Sequence, residues 1–289
     1  MGLFLITTEH LENRVWFRDD EDFKAGMNYV PVVAEATGVT ILSFILMSNH
    51  VHFFIQCSGG DLAKLFIDRY KTQYSLYFFK KYKVKNLLDS NGVTIREIEL
   101  SNESPECAAA YVQMNPVAAN ICSRPESYPW GTGNCFFNPD IRKYKRLGDY
   151  SARAQARLLH SKVELNQYFE VFEEGYINPR SYVDVQYVES LFRSPKRMNY
   201  FLMNSSKAKA LREKKLTDSF SFSDQVLIMA TNEMCRYQYQ NKNVQDLSRN
   251  ELEDLAHTLR SFFRSDANQI SRILGLTYSE CVDILDSFN

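Results

Sequence analysis

Thr40-Ile41-Leu42-Ser43-Phe44-Ile45-Leu46-Met47-Ser48-Asn49-His50-Val51-His52-Phe53-Phe54-Ile55-Gln56 decides the fold. Apolar residues fall on both faces of positions 39–47, which suggests a central strand covered on either side. Ser48-Asn49 is turn chemistry, so positions 50–56 read as the second strand of a tight hairpin. The uncharged segment from Gly38 to Gly60 is long enough to cross a bilayer. Asn49, His50 and His52 at its centre would be costly in lipid, and the β-branched and aromatic residues around them favour two strands over one membrane helix.

Working outward, residues 2–8 form a short apolar run that reads as a strand. Asp19-Asp20-Glu21-Asp22 suits a helix start, a helix is expected over about 20–37, and Gly38 stops it. After Gly59-Gly60, Leu62, Leu65, Phe66, Tyr70, Tyr74 and Tyr77 recur near helical spacing in a helix running towards Lys83. A strand is expected at 93–100. Ser104-Pro105-Glu106 then opens a helix with an N-cap serine and a proline at the first position. That helix carries Tyr111 and is expected to stop near Asn115-Pro116, because a residue before proline disfavours the α region. The order strand, helix, strand, strand, helix, strand, helix is an α+β plan, a ferredoxin-like antiparallel sheet with packed helices.

From about residue 140 helical patterns take over, with helices expected over 150–172, 184–201, 224–239, 248–263 and 267–288. The chain is thus divided into 1–140, a basic helical connection over 141–215, and a helical region over 216–289. At 289 residues and 45% hydrophobic content, more than one globular unit is the default. The net charge of -1 excludes a uniformly basic nucleic-acid binder and throws weight on local patches. Six cysteines without a Cys-x-x-Cys pair suggest neither a zinc ribbon nor a disulfide framework. The first residues lack the features of an export signal, so a cytoplasmic protein without a membrane segment is expected.

His50 and His52 are two apart on the expected strand, so their imidazoles share a face and could share one metal. Taken alone, the pair reads more simply as half-buried or surface histidines. Tyr111 and Asn115 are four apart on a helix and hence stacked on one face. Alone, they read as a core aromatic and a C-terminal cap. The combination changes the balance, because phosphoryl transfer needs a metal to withdraw charge from a phosphate oxygen and a hydroxyl aligned for attack.

Met47-Ser48-Asn49-His50-Val51-His52, followed about sixty residues later by Tyr111-Val112-Gln113-Met114-Asn115-Pro116-Val117, resembles the HUH tyrosine transposases, in particular the branch associated with repetitive extragenic palindromes. The resemblance extends from the strand at Leu3 through Phe17-Arg18-Asp19 to Tyr128-Pro129-Trp130. It implies an HUH nuclease domain in which Tyr111 is the nucleophile and His50, His52 and Asn115 hold Mg²⁺ or Mn²⁺. The implied reaction is cleavage and rejoining of hairpin-containing single-stranded DNA through a 5′-phosphotyrosine. Two departures stand out: relatives carry an arginine where this chain has Ala118, and Trp-Ser-Ser where it has Trp130-Gly131-Thr132.

Lys64, Arg69, Lys71, Lys80, Lys81, Lys83 and Lys85 alternate with Tyr70, Tyr74, Tyr77 and Tyr82, a pattern that fits phosphate neutralisation with base stacking, or equally a solvated amphipathic helix. Arg142, Lys143, Lys145 and Arg146, and the run from Arg193 to Lys215, are further basic stretches. The segment 267–282 has the cadence of a helix-turn-helix around Gly275, which would bring duplex DNA as a second partner; a plain helical hairpin is the alternative. A monomer is favoured over a dimer. Every chemical group named for the reaction precedes residue 145, so a chain ending there is expected to hold a complete site. The competing readings are a domesticated, non-cleaving hairpin-binding or regulatory protein, and a replication initiator or relaxase. Against the latter, no Gly-x-x-x-x-Gly-Lys loop is present.

Overall fold

The computed structural model describes the chain except residues 9–14, 85–91, 100, 102, 140–141, 211–221, 241, 264 and 287–289. Lys85, the end of the expected strand at 93–100, the end of the basic run at 211–215 and the end of the last helix lie outside the described residues.

Strands β1 (Gly2–Thr7), β2 (Thr40–Leu46), β3 (Val51–Cys57) and β4 (Thr94–Glu97) form one antiparallel sheet in the order β2-β3-β1-β4. Helices α1 (Asp20–Thr37), α2 (Gly60–Tyr82) and α3 (Pro105–Gln113) complete the α+β, ferredoxin-like plan. The hairpin β2-β3 is buried on both faces, but β2 is an edge strand of the sheet and not the central strand expected; its apolar faces are covered by packed helices, and its outer edge meets later segments at the bridges Ile41–Val183 and Ile45–Gly131. Phe53 on one face meets Phe66 and Tyr70 of α2, with ring centroids 5.1 and 5.2 Å apart. His52, one residue earlier, points to the opposite face, where α3 lies. Asp19 caps α1 through Asp22 N, and Gly38 ends it at φ 67, a left-handed conformation that glycine adopts without strain.

Three further expectations need correction. The helix of Tyr111 does not stop at Pro116: Met114 interrupts it at φ -84, ψ -2, and α4 (Asn115–Ala118) continues with the proline in its first turn, where no N–H is needed. The single helix expected over 150–172 is α5 (Ala152–Leu159) alone, ended by His160 at φ 47; β6 (Glu170–Phe172) then pairs with β5 (Tyr144–Arg146). Three-residue strands are too short to show an alternation. The helix expected over 184–201 is two, α6 (Val185–Phe192) and α7 (Pro195–Asn204), broken at Arg193 (φ 63) and restarted by Ser194-Pro195. That restart has the same chemistry as Ser104-Pro105.

Both α6 and α7 pack on α3, and Phe172, Tyr176, Val188, Phe192, Met198 and Leu202 belong to the same apolar core as the sheet. The chain before residue 145 therefore does not enclose its own core. Helices Asp224–Gln238, Arg249–Ser261, Ala267–Leu274 and Tyr278–Asp286 surround a second core that includes Val15. Gly275 turns between the last two at φ 71. No helix among the described residues is long and apolar enough to cross a membrane.

Candidate active site

His50 sits on the β2-β3 turn, and the turn is held from several directions. Met47 N donates to His50 O at 2.8 Å and closes the two-residue loop. The amides of Trp16 and Phe17 both donate to Ser48 O, at 2.7 and 2.9 Å. Val51 N donates to Thr8 Oγ1 at 2.9 Å, and Ser48 N donates to Gln225 Oε1 at 3.3 Å. Gln225 is buried and also donates to the Tyr128 hydroxyl at 2.7 Å, while Tyr128 donates to Leu46 O at 2.6 Å. Asn49 Oδ1 lies 2.8 Å from His50 Nδ1. Because that oxygen can only accept, the proton belongs on Nδ1 and the lone pair on Nε2.

His52 is fully buried in the central strand, opposite Thr7 of β1 and Ile45 of β2. Its ring meets His50 edge-on at 5.1 Å and Tyr111 edge-on at 5.5 Å. Tyr111 is partly exposed on α3. Asn115, one turn on, is buried and directs Nδ2 to Tyr111 O at 2.9 Å and Val112 O at 3.2 Å, leaving Oδ1 as the amide's remaining polar atom.

Helix α3 is keyed to the sheet two residues after Tyr111. Gln113 Nε2 donates to Ser43 Oγ and Thr132 Oγ1, both at 2.6 Å, and all three residues are buried. Thr132 reaches that position because Gly131 lets the backbone lie against β2; a Cβ on Gly131 would stand 2.7 Å from Phe44 O. Gln113→Ala should lower stability by about 1–3 kcal/mol, since it leaves two buried hydroxyls without this donor. Thermal unfolding checks this; an unchanged midpoint would mean that the amide does not anchor the helix.

The expected DNA-binding residues fare differently. Tyr70 and Tyr74 are fully buried and donate to Gly26 O and Trp16 O, so they cannot stack on bases. Burial holds both phenols well above their ordinary range. Lys71 is buried as well. Lys64 pairs with Asp68, Arg69 donates to Ala36 O, and Lys81 pairs with Asp19 and Asp22. Arg142 lies over the Phe172 ring at 3.6 Å and donates to the Tyr176 hydroxyl. Lys80 and Lys143 are exposed. As α2 covers the sheet face opposite Tyr111, its basic residues do not line the histidine–tyrosine cluster.

Lys207, which lies inside the basic run expected from Arg193 to Lys215 but is not singled out there, places its Nζ 4.9 Å from the Tyr111 ring centroid. Sequence reasoning missed Gln225 behind the turn, and Arg96. Arg96 lies on the Tyr111 face of β4, paired with Glu103, and that hydrogen bond raises its already high pKa further, with a smaller contribution from Tyr111. Glutamine and lysine in helical segments more than ninety residues beyond Tyr111 carry no local signal.

Among the described residues, no three His, Cys, Asp or Glu side chains come together. An ion shared by His50 and His52 therefore finds no third ligand of those kinds there. The two rings are close enough to share an ion, His50 carries the tautomer that ligation by Nε2 requires, and an amide oxygen is a suitable further donor for a hard divalent cation. The residues present fit such an ion.

The family model described as "Transposase IS200 like" matches residues 10–96. No curated protein matches the chain. A solved structure titled "Structure of the REP associates tyrosine transposase bound to a REP hairpin" is similar at 14% identity and a TM-score of 0.37, covering 60% of this chain and 90% of that one.

Proposed function

We propose that this chain, whose residues 10–96 match the family model of the IS200-like transposases, is a transposase that cuts and rejoins hairpin-containing single-stranded DNA with Tyr111 as nucleophile. The observation that carries the reading is the row His50, His52, Tyr111, with ring centroids 5.1 and 5.5 Å apart, assembled from a strand hairpin and a helix.

In the reaction, Tyr111 Oη forms a bond to phosphorus while the bond from phosphorus to O3′ breaks. The phenolic proton leaves to water and O3′ takes up a proton, so the products are a 5′-phosphotyrosine and a free 3′-hydroxyl. His50, His52 and Asn115 would hold Mg²⁺ or Mn²⁺, which when bound withdraws charge from a phosphate oxygen. The chain's own part is to hold the phenol beside the phosphate, which the Gln113 key and the braced turn do by fixing α3 and β3. The same reading assigns backbone contacts to exposed Lys80 and Lys143, duplex contacts to the final helix pair, and a cytoplasmic monomer as the working form.

Removing the metal should stop cleavage. A chelator, or His50→Ala, is expected to lower the rate of adduct formation at least ~100-fold while DNA binding persists. His50 is the better position to test, because His52 is fully buried and its truncation would also cost stability. Gel assays of labelled hairpin DNA with Mg²⁺, Mn²⁺ or chelator measure this. Undiminished cleavage in chelator would remove the metal, and binding without any adduct under all conditions would favour a non-cleaving hairpin-binding protein.

A further inference from the structure

We propose that Lys207 is a catalytic residue of this site, its ammonium contacting the scissile phosphate as Tyr111 attacks. The inference rests on the reading of Tyr111 as nucleophile. Two side chains meet at that ring: His52 faces it edge-on, and Lys207 Nζ stands 4.9 Å from its centroid.

The lysine is delivered by a built scaffold. Arg197 of α7 pairs with Glu106 of α3 at 3.0 Å, and Met198 and Leu202 are buried in the core shared with the sheet. Ser205 then accepts from Ala208 N at 3.2 Å and opens the helical turn 206–210, in which Ala208 is buried. Lys207 is thereby held beside the helix of Tyr111, with a side chain that remains partly exposed.

The pentacoordinate phosphate carries negative charge that a cation at fixed position stabilises more than it stabilises the bound DNA. A lysine suits this task as a point charge with three donors and a flexible stem, able to move the short distance from ring to phosphate. Bond changes remain those at Tyr111 Oη, phosphorus and O3′.

The test uses the full chain, Mn²⁺ and a pool of labelled DNA hairpins with randomised single-stranded flanks, under single-turnover conditions. Lys207→Met should slow adduct formation about 100-fold. Binding, by fluorescence anisotropy, should stay within about threefold, and the thermal midpoint should not move. Lys207→Arg should recover most of the rate. Wild-type rates in Lys207→Met would overturn the proposal, as would equal slowing in both variants with a lowered thermal midpoint, which marks a packing role. If the wild-type chain forms no adduct, the transposase reading fails and this inference falls with it. A wild-type adduct with an unaffected Met variant removes Lys207 alone.

Discussion

Tyr111→Phe is expected to abolish the covalent protein–DNA adduct while leaving DNA binding within a small factor of wild type. The substitution removes one oxygen and keeps the ring that packs edge-on against His52 and under Lys207. Loss of a nucleophile in a coupled site costs at least ~10⁴-fold in rate. Tyr70, Tyr74 and Tyr128 are buried with phenols pushed up by desolvation, whereas Tyr111 is partly exposed. Labelled DNA on a denaturing gel reads the adduct and anisotropy reads the binding. Adduct formation by the Phe variant at the wild-type rate would end the case for Tyr111.

Ending the chain at residue 145 is expected to unfold it, despite every proposed ligand and the proposed nucleophile lying upstream. Phe172, Tyr176, Val188, Phe192, Met198 and Leu202 all belong to the core that covers the sheet. At about 1.5–3 kcal/mol for each buried side chain, the loss of these six amounts to about 9–18 kcal/mol. A domain's whole stability is about 5–15 kcal/mol. The strand β2 would lose the bridge from Ile41 to Val183, and α3 would lose α6 and α7. Circular dichroism with a thermal ramp checks this. A cooperative melt from the shortened chain, together with cleavage, would show that the first half is self-sufficient after all.

The sheet domain was legible because its signals are local and mutually consistent. Two apolar strands around Ser48-Asn49, an acidic start and a glycine stop on α1, and Ser104-Pro105 before α3 each have one simple reading. The cluster of His50, His52 and Tyr111 followed from strand and helix periodicity plus a motif resemblance. What escaped was set by tertiary context. Lysines and tyrosines on α2 look alike in sequence whether they face a nucleic acid or the core, and only packing distinguishes buried Tyr74 and Lys71 from exposed Lys80. The strands β5 and β6 are too short to show a period. Lys207 and Gln225 act through contacts with residues far earlier in the chain, which no window of sequence contains.

The bond from Ser48 N to Gln225 spans 177 residues, and it has a meaning in time as well as in space. At a synthesis rate of about 5–20 residues per second, the histidine-bearing turn waits on the order of ten seconds or more for this brace after it has itself been made. Through that interval the growing chain already carries His50, His52 and, later, Tyr111, but the turn lacks its final strut. Products of premature termination before residue 225 never acquire it. The arrangement ties the bracing of the turn to synthesis at least as far as residue 225, so fragments released earlier from translation hold His50, His52 and Tyr111 without this part of the frame.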